Sequence, residues 1–387
     1  MLKLHARCDL RCDYCYVYTK ADQRWRTAAR VISRPTIDQA AVRIGEHARD
    51  HRLPSVDLIL HGGEPLLAGP ELIAHAVRSV REQVHLATRG ATRVAVMMQT
   101  NGLQLTDNVL DLADELQIGI GVSLDGDQTA HDRHRRTADG RGSHHRVVAA
   151  LNRLTAPGHR HLFRGLLATV DLANDPVRSY EAMLEFSPPI MDFLLPQAHW
   201  SDLPPGTIPG SPATPYADWL IAVFDRWYDS PVQETTIRLF TSIMRALAGG
   251  RSSVESIGGR PAEALVIETD GTLTPSDTIA PTGALVSRAG VGGPSPTVLD
   301  TRLDDVFNWW TLAGNSAGMK DFHPIPLPTP CRPCAVRRIC GGGLVGHRYR
   351  AGVGFDQTSV YCQDLLALIT HVRARLEDDL RRLRNTG

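Results

Sequence analysis

The sequence lacks both a long apolar run and an excess of charge of either sign. No hydrophobic stretch approaches the roughly 18 to 20 residues that a helix needs to cross a bilayer, and the first residues, MLKLHARCDL, lack the pattern of a signal peptide. Lys and Arg total 42, as do Asp and Glu, so no basic excess favours binding of nucleic acid or anionic lipid. We therefore expect a cytoplasmic protein with neither nucleic acid nor a membrane as partner.

Cysteine is absent from the whole middle of the chain, and aromatic residues make up only 6% of it. The hydrophobic fraction of 42% is nevertheless ordinary for a globular protein. The seven cysteines form two tight groups, which are Cys8, Cys12 and Cys15, and then Cys331, Cys334, Cys340 and Cys362. In a reducing compartment, such groups indicate metal ligands before disulfides.

Short aliphatic runs alternate with longer amphipathic segments through the first half of the chain. This alternation is typical of βα units around a parallel sheet. The predicted strands are 2–6, 56–60, 93–98, 119–124, 165–170 and 191–195, and the clearest helical patterns between them are 35–52 and 71–88. Six such units predict an α/β fold, a partial (β/α)6 barrel that resembles an incomplete TIM barrel.

Proline and glycine then crowd residues 200–216, which predicts a connection, and a helical pattern follows at 215–228. From about residue 260 onward, short extended pieces, turns and the second cysteine group replace the βα pattern. We predict a barrel domain at 1–200, a helical linker region at 201–260 and a cysteine-bearing domain at 261–387.

The first cysteine group follows the first predicted strand with the spacing Cys-x3-Cys-x2-Cys. Iron-sulfur clusters are usually held by four thiolates, so three ligands leave one iron open. An open iron could chelate the amino and carboxylate groups of S-adenosylmethionine (SAM). The alternatives are a three-cysteine zinc knuckle and three thiols packed as small apolar side chains.

Polar segments also stand at the ends of the next predicted strands, where α/β barrels carry their active-site loops. Segment 62–65 (GGEP) follows the second strand, where glycine permits close approach to a ligand and Glu64 can accept from an ammonium group. Asn101 follows the third strand, and Ser123 and Asp125 follow the fourth, in reach of a ribose. Each segment is also an ordinary turn sequence, so their shared position is what favours a ligand site.

The second cysteine group, Cys331, Cys334, Cys340 and Cys362, supplies four thiolates and so leaves no open position on a metal. A structural zinc site satisfies the same count. In a chain that already carries an iron-sulfur loop, we favour an auxiliary 4Fe-4S cluster that transfers electrons.

Through the cysteine loop and these strand-end segments, the sequence resembles the radical SAM superfamily over nearly its whole length. The resemblance implies that the first three cysteines bind a 4Fe-4S cluster and that Tyr14 lies against the adenine of SAM. It also implies that Gly63 and Glu64 contact the amino end of the methionine moiety, and that Ser123 contacts the ribose.

The resemblance further implies that Arg135 binds the SAM carboxylate. Arg135 lies in the segment HDRHRRTADGRG, in which Arg133 and Arg136 compete for the same assignment. Any one of these arginines could instead be a solvated surface residue.

The second cysteine group resembles the SPASM or twitch extension of peptide-modifying radical SAM enzymes. Full versions carry seven cysteines and two auxiliary clusters, whereas Ser276 and Leu344 stand at two expected ligand positions here. The resemblance therefore implies that only the distal auxiliary cluster remains. It also places Asp277 at the position of the general base of sulfatase-maturating relatives, although an aspartate in a turn is commonly just exposed.

Four segments most closely resemble the Fxs-type maturases: CDLRCDYCYVYTKADQRWR, LHGGEPLLAG, CGGGLVGHRYR and GFDQTSVYC. The resemblance implies a cyclophane crosslink, from an aromatic ring to a side-chain β-carbon, in a ribosomally made precursor peptide. It also implies an electron donor such as flavodoxin or ferredoxin. The alternatives are an anaerobic sulfatase-maturating enzyme, which generates formylglycine, and a zinc-binding scaffold protein.

Overall fold

The computed structural model describes residues 1–208, 210–259, 264–274, 276–283, 295–306 and 327–386. The chain divides into two compact units. The first unit contains residues 1–124 and 128–166 and the described residues of 264–316. The second unit contains residues 125–127 and the described residues of 167–263 and 317–387.

Short strands and amphipathic helices alternate along the chain. The strands are β1 (Leu2–His5), β2 (Ser55–Gly62), β3 (Arg93–Thr100), β4 (Ile118–Ser123), β5 (Phe163–Thr169), β6 (Ile190–Leu194), β7 (Thr236–Ile237), β8 (Val266–Ile267) and β9 (Leu273–Thr274). The helices are α1 (Arg34–Asp50), α2 (Pro70–Thr88), α3 (Asp107–Glu115), α4 (Gln128–His134), α5 (His144–Leu154), α6 (Pro176–Leu184), α7 (Pro215–Tyr228), α8 (Arg238–Leu247), α9 (Arg337–Cys340) and α10 (Cys362–Thr386).

A parallel sheet forms the centre of the first unit, with the strand order β4-β3-β2-β1-β8-β9. Strands β1 to β4 are parallel, with Val56 opposite Val94 and Val96 opposite Ile118. Strand β8 pairs with β1 in parallel, and β9 turns back antiparallel to β8. Residues 266–274, which contain β8 and β9, therefore extend the sheet beyond β1.

Helices α1 and α2 pack against each other beside this sheet through faces of small and aliphatic residues. Ala40, Ala41 and Ala48 are fully buried on α1, and Val77 and Val80 are fully buried on α2. Helix α1 begins at an ordinary N-cap, because the Ser33 hydroxyl accepts from the Thr36 N–H at 3.1 Å. Small side chains allow close approach of the two helices.

The second unit combines β6 and β7 with α6, α7, α8 and α10. Strand β6 pairs in parallel with β7, and Phe224 at the centre of α7 lies 5.3 Å from the Phe240 ring of α8. The carboxylate of Asp364 accepts from the backbone N–H groups of Tyr216 and Ala217, at 2.9 and 3.0 Å. This carboxylate of α10 therefore caps the first turn of α7.

The six strands predicted from sequence are β1 to β6, and their ends differ from the prediction by at most two residues. The predicted helices correspond to α1, α2 and α7. Strands β7, β8 and β9 have two residues each, too few to show any alternation. The boundary predicted between residues 260 and 261 lies outside the described residues. None of the described helices has the length and hydropathy required to span a membrane.

Candidate active site

Cys8, Cys12 and Cys15 lie in one tight loop that follows β1. All three are partly buried free thiols, and the Cys15 N–H donates to the Cys12 carbonyl at 3.2 Å. The Cys8 Sγ accepts from the Leu10 N–H at 3.3 Å. Burial raises the pKa of the Cys8 and Cys15 thiols. These cysteines therefore ionise readily only beside a cationic centre, which suits ligands of an iron-sulfur cluster.

The glycines of segment 62–65 pack against the start of the cysteine loop. The Gly63 N–H donates to the His5 carbonyl at 2.8 Å, and the Glu64 N–H donates to the Arg7 carbonyl at 3.0 Å. A Cβ at Gly63 would lie 1.8 Å from the Tyr18 hydroxyl and 2.5 Å from the Arg7 carbonyl oxygen. Close packing of the loop therefore requires glycine at this position.

The side chain of Glu64 joins the ends of β2 and β3. It is 1% exposed, and its Oε1 accepts from the Thr100 hydroxyl at 2.7 Å and from the Leu66 N–H at 3.1 Å. Its Oε2 accepts from the Asn101 N–H at 2.8 Å. Burial raises the pKa of Glu64 to about 7 in spite of these bonds. Both oxygens thus accept hydrogen bonds from protein groups, and the contact of Glu64 with the methionine moiety stays a prediction.

Asn101 holds the cysteine loop at the end of β3. Its Nδ2 donates to Asp9 Oδ1 at 2.7 Å and lies 3.5 Å from Cys8 Sγ. Gln104 Nε2 donates to the other Asp9 oxygen at 2.9 Å. Sequence reasoning missed Asp9 and Gln104. The signal that could have identified Asp9 is its carboxylate directly after the first cysteine of the motif.

Tyr14 stacks with the segment that carries the candidate arginines. The Arg135 guanidinium lies 5.6 Å from the centre of the Tyr14 ring, and the His134 ring lies 5.1 Å from it. Arg135 also favours the thiolate form of Cys15. Arg136, in contrast, is exposed and donates to a backbone carbonyl. The structure thus brings Arg135 to the cysteine loop and leaves the Arg136 side chain at the surface.

Ser123 and Asp125 differ in their surroundings. Ser123, at the end of β4, is partly buried, and its hydroxyl accepts from Gln99 Nε2 at 3.0 Å. Asp125 is 4% exposed and accepts from the Thr169 N–H at 3.1 Å within the second unit. Each side chain therefore already contacts protein groups at the carboxyl ends of the strands.

Asp277 lies in a buried network of charges beside strand β1. Its Oδ1 accepts from Lys3 Nζ at 2.7 Å, and its Oδ2 accepts from the Tyr16 hydroxyl. Glu268 shares the same ammonium group at 3.0 Å. Burial by itself would raise the pKa of Asp277, but Lys3 and the other partners hold it at about 2. Sequence reasoning missed this network because Lys3 and Asp277 are far apart in the chain.

The second cysteine group lies within the second unit. Cys331 is buried, and Cys334, Cys340 and Cys362 are partly buried. Burial raises the pKa of the Cys331 and Cys340 thiols and raises that of Cys362 to about 11. These three thiols ionise readily only beside a cationic centre, and the four cysteines together offer the ligand set of an iron-sulfur cluster.

The two positions where a full SPASM extension has cysteines carry other side chains. Ser276 is 3% exposed, and its hydroxyl lies 2.7 Å from the Thr278 hydroxyl. Leu344 is 9% exposed and belongs to the apolar core. Neither position offers a thiolate.

Comparisons with known proteins agree with this arrangement. Residues 2–169 match the model of the radical SAM superfamily. The chain is 24% identical to a serine-type anaerobic sulfatase-maturating enzyme of Bacteroides thetaiotaomicron, over 95% of this chain and 87% of the relative. It is 22% identical to a cysteine-type anaerobic sulfatase-maturating enzyme of Clostridium perfringens, over 95% of this chain and 94% of the relative.

Solved structures share the fold along almost the entire chain. The structure of native anSMEcpe with bound AdoMet and Cp18Cys peptide has a TM-score of 0.76 at 19% identity, covering 99% of this chain and 98% of that one. The structure of Streptococcus suis SuiB bound to the precursor peptide SuiA has a TM-score of 0.56 at 14% identity, covering 94% and 75%.

The fold and the site together define a class of protein, the α/β enzymes with a partial barrel. In this class the parallel strands end in a three-cysteine loop, a glycine-rich loop and polar loops. The match identifies residues 2–169 as a radical SAM domain, and the chain that carries this domain is an enzyme. Its SAM-cluster motif is formed by Cys8, Cys12 and Cys15, and its cofactors are a 4Fe-4S cluster and SAM. The expected fold class is confirmed.

Proposed function

We propose that this radical SAM enzyme oxidises a side chain of a peptide substrate. The observation that carries the proposal is the presence of two cysteine sites in one chain, a loop of three in the first unit and a group of four in the second. A three-ligand cluster suits SAM cleavage, and a four-ligand cluster suits electron transfer. The near-full-length relatives named above are enzymes that mature sulfatases, which are themselves polypeptides.

The cluster at the first site, together with SAM, would supply a 5'-deoxyadenosyl radical that takes one hydrogen atom from the β-carbon of a substrate residue. To reach a closed-shell product, the substrate must then lose one electron and one proton. We propose that the electron leaves through an auxiliary 4Fe-4S cluster at Cys331, Cys334, Cys340 and Cys362. An electron donor such as flavodoxin or ferredoxin would supply the electron that reduces the cluster at the first site.

Asp277 is our candidate for the group that accepts the substrate proton. With a pKa of about 2, it is ionised at neutral pH but weakly basic while Lys3 and Tyr16 remain bound to it. Its basicity would rise if substrate displaced the Tyr16 hydroxyl. We therefore propose that the hydroxyl of Tyr16 is exchanged for a substrate group at Asp277.

The SAM contacts remain proposals of the same kind. Tyr14 would stack on the adenine, and Arg135, which already lies beside Cys15, would bind the carboxylate. Gly63 would present its backbone to the amino end of the methionine moiety. Ser123 and Asp125 would bind the ribose.

Two finer assignments compete for the product. The near-full-length similarity to sulfatase-maturating enzymes favours formylglycine, made from a cysteine or serine side chain. The serine and leucine at positions 276 and 344 favour the cyclophane crosslink, because they leave four C-terminal cysteines instead of the full SPASM set. We place formylglycine formation first and the crosslink second.

One experiment separates these outcomes. The enzyme, purified and reconstituted without oxygen, is incubated with SAM, a reductant and either a sulfatase-derived peptide or the small peptide encoded beside its gene. Formylglycine reacts with a hydrazide probe. A crosslink gives a product that has lost two hydrogens, does not bind the probe and lacks fragment ions between the joined residues.

The control is the variant in which Cys8, Cys12 and Cys15 are all alanine, which should form no 5'-deoxyadenosine. Deoxyadenosine release by the parent without any change in either peptide would refute peptide oxidation of both kinds. Stoichiometric zinc in place of iron would favour the scaffold protein.

A further inference from the structure

A buried arginine lies at the centre of the loop between the third and fourth C-terminal cysteines. Arg348 is 2% exposed. Its Nε donates to the Gly342 carbonyl at 2.9 Å, and one terminal nitrogen donates to the carbonyls of Gly341 and Gly343, both at 2.8 Å. A guanidinium group is thus enclosed by three consecutive peptide carbonyls.

These three glycines connect Arg348 to a cysteine ligand. Their φ angles are +64°, +84° and +69°, a region that only glycine occupies readily. A Cβ at Gly342 would lie 2.9 Å from an Arg348 terminal nitrogen. Burial raises the pKa of the Cys340 thiol, and the N–H groups of Gly342 and Gly343 act against that rise. The Gly343 N–H also donates to the Cys340 carbonyl at 3.2 Å, so one short loop holds both the arginine and the cysteine.

The carbonyls that hold the Arg348 guanidinium belong to the three residues directly after Cys340, so its charge lies beside the cysteine site. The groups that favour its charged form are Cys331 and Cys340, and the arginine in turn favours the thiolate of each. Burial lowers the pKa of Arg348 to about 10, so it keeps its charge at neutral pH. The adjacent His347 is also buried, and burial lowers its pKa to about 3, so it is neutral. Arg348 thus supplies a permanent positive charge.

We propose that Arg348 raises the reduction potential of the auxiliary cluster and so makes that cluster a good acceptor of the substrate electron. This inference rests on the proposed function, because it requires a 4Fe-4S cluster at the second cysteine group. Reduction adds one negative charge to the cluster. A buried cation stabilises that added charge strongly, because little water screens the interaction.

The test uses the full-length variant in which Cys8, Cys12 and Cys15 are alanine, so that the second site is observed by itself. Its midpoint potential is measured by redox titration followed by electron paramagnetic resonance. In this background, Arg348→Gln and Arg348→Met remove the charge, and Arg348→Lys keeps it. Arg338→Gln is the matched control, because Arg338 lies near Cys340 in the chain but is exposed, and solvent and salt screen its charge.

We expect the two neutral variants to show at least a tenfold lower ratio of reduced to oxidised cluster at the parent midpoint. For a one-electron couple, tenfold corresponds to about 59 mV. The midpoint potential of Arg348→Lys should lie much closer to that of the parent. The midpoint potential of Arg338→Gln should equal that of the parent. If Arg348 served only to stabilise the fold, all three Arg348 variants would unfold at a lower temperature than the parent. The reduction potential of the auxiliary cluster would then be unchanged.

An iron-loaded Arg348→Gln variant with the parent potential would overturn the inference. Loss of the cluster from both neutral variants would also overturn it, because Arg348 would then be needed for assembly of the site. If the parent background itself binds no second cluster, it is the auxiliary cluster of the proposed function that fails. Peptide oxidation is measured separately, with enzyme that keeps Cys8, Cys12 and Cys15. Failure of this inference and failure of the proposed function therefore remain distinguishable.

Discussion

Replacing Asp277 by asparagine should weaken the fold of the first unit as well as the chemistry. Asp277 is 9% exposed and Lys3 is 8% exposed, and their charged atoms are 2.7 Å apart. Asparagine would leave the buried ammonium with Glu268, 3.0 Å away. It would also remove the anionic acceptor of the Tyr16 hydroxyl.

The size of this effect follows from the pKa of Asp277, which is about 2 instead of the ordinary 3.8. At about 1.4 kcal/mol per pKa unit, the ionised carboxylate contributes about 2.5 kcal/mol to the free energy of unfolding. Loss of one partner from a buried ion pair typically costs about 3 to 5 kcal/mol. We therefore expect Asp277→Asn to lower the free energy of unfolding by about 2 to 4 kcal/mol.

The pH dependence has a definite sign. Because the folded protein holds this carboxyl at a lower pKa than the unfolded chain does, the stabilisation is complete above about pH 4 and is lost as the pH falls towards 2. The gap in stability between the parent and Asp277→Asn should therefore narrow across that acid window. At neutral pH the gap should be constant.

The assay is thermal unfolding followed by circular dichroism without oxygen, together with the yields of 5'-deoxyadenosine and of modified peptide. The thermal unfolding midpoint of Asp277→Asn should lie about 5 to 10 °C below that of the parent. The variant should still cleave SAM but should form little modified peptide. Glu268→Gln is the control, since Glu268 shares Lys3 but burial raises its pKa. Folding therefore does not favour its ionised form, and the substitution should cost about 1 kcal/mol or less. An Asp277→Asn protein with the parent unfolding midpoint at pH 7 would refute the reasoning.

Three further predictions concern the SAM site. Gly63→Ala should lose iron from the first site, because its Cβ would lie 1.8 Å from the Tyr18 hydroxyl; parent iron content would contradict this. Asn101→Ala should slow SAM cleavage by about tenfold, through loss of hydrogen bonds worth about 1 to 2 kcal/mol, and an unchanged rate would exclude a positioning role. Arg135→Gln should weaken SAM binding by about tenfold in equilibrium dialysis, and equal loss in exposed Arg136→Gln would show that the assignment is wrong.

Many features of the first unit could be predicted from the chain itself because their causes are local. A run of aliphatic residues between helical patterns predicts a buried parallel strand wherever it occurs, and β1 to β4 of this unit follow those runs. Ligand spacing is equally local, since three cysteines within eight residues must share one loop. The motif at Cys8, Cys12 and Cys15 therefore carried the cofactor prediction without any knowledge of the fold.

The roles of individual polar residues depend on partners that are distant in the sequence. Glu64 and Asn101 were expected to face a ligand, because each follows a strand. Those ligand contacts stay predictions. In the structure, the Glu64 carboxylate accepts from the Asn101 N–H, and the Asn101 side chain donates to Asp9 of the cysteine loop. Their partners lie tens of residues away in the chain, so no spacing rule could have paired them.

Arg348 is the clearest residue that sequence reasoning missed. In the segment GHRYR it resembles any surface arginine, and only the three preceding glycines hint at an unusual backbone. The structure shows that these glycines surround its guanidinium group. A patterned search for arginine shortly after a glycine triplet and a cysteine would have found it.

By itself, the sequence determined the order of the strands along the chain, the two groups of cysteines and the cofactors of the first group, because periodicity and short spacings encode these features. Only the tertiary structure decided which of several arginines contacts Tyr14, and which lysine pairs with Asp277. Such choices depend on long-range packing, which brings distant side chains within hydrogen-bonding distance and removes the water that would otherwise screen their charges.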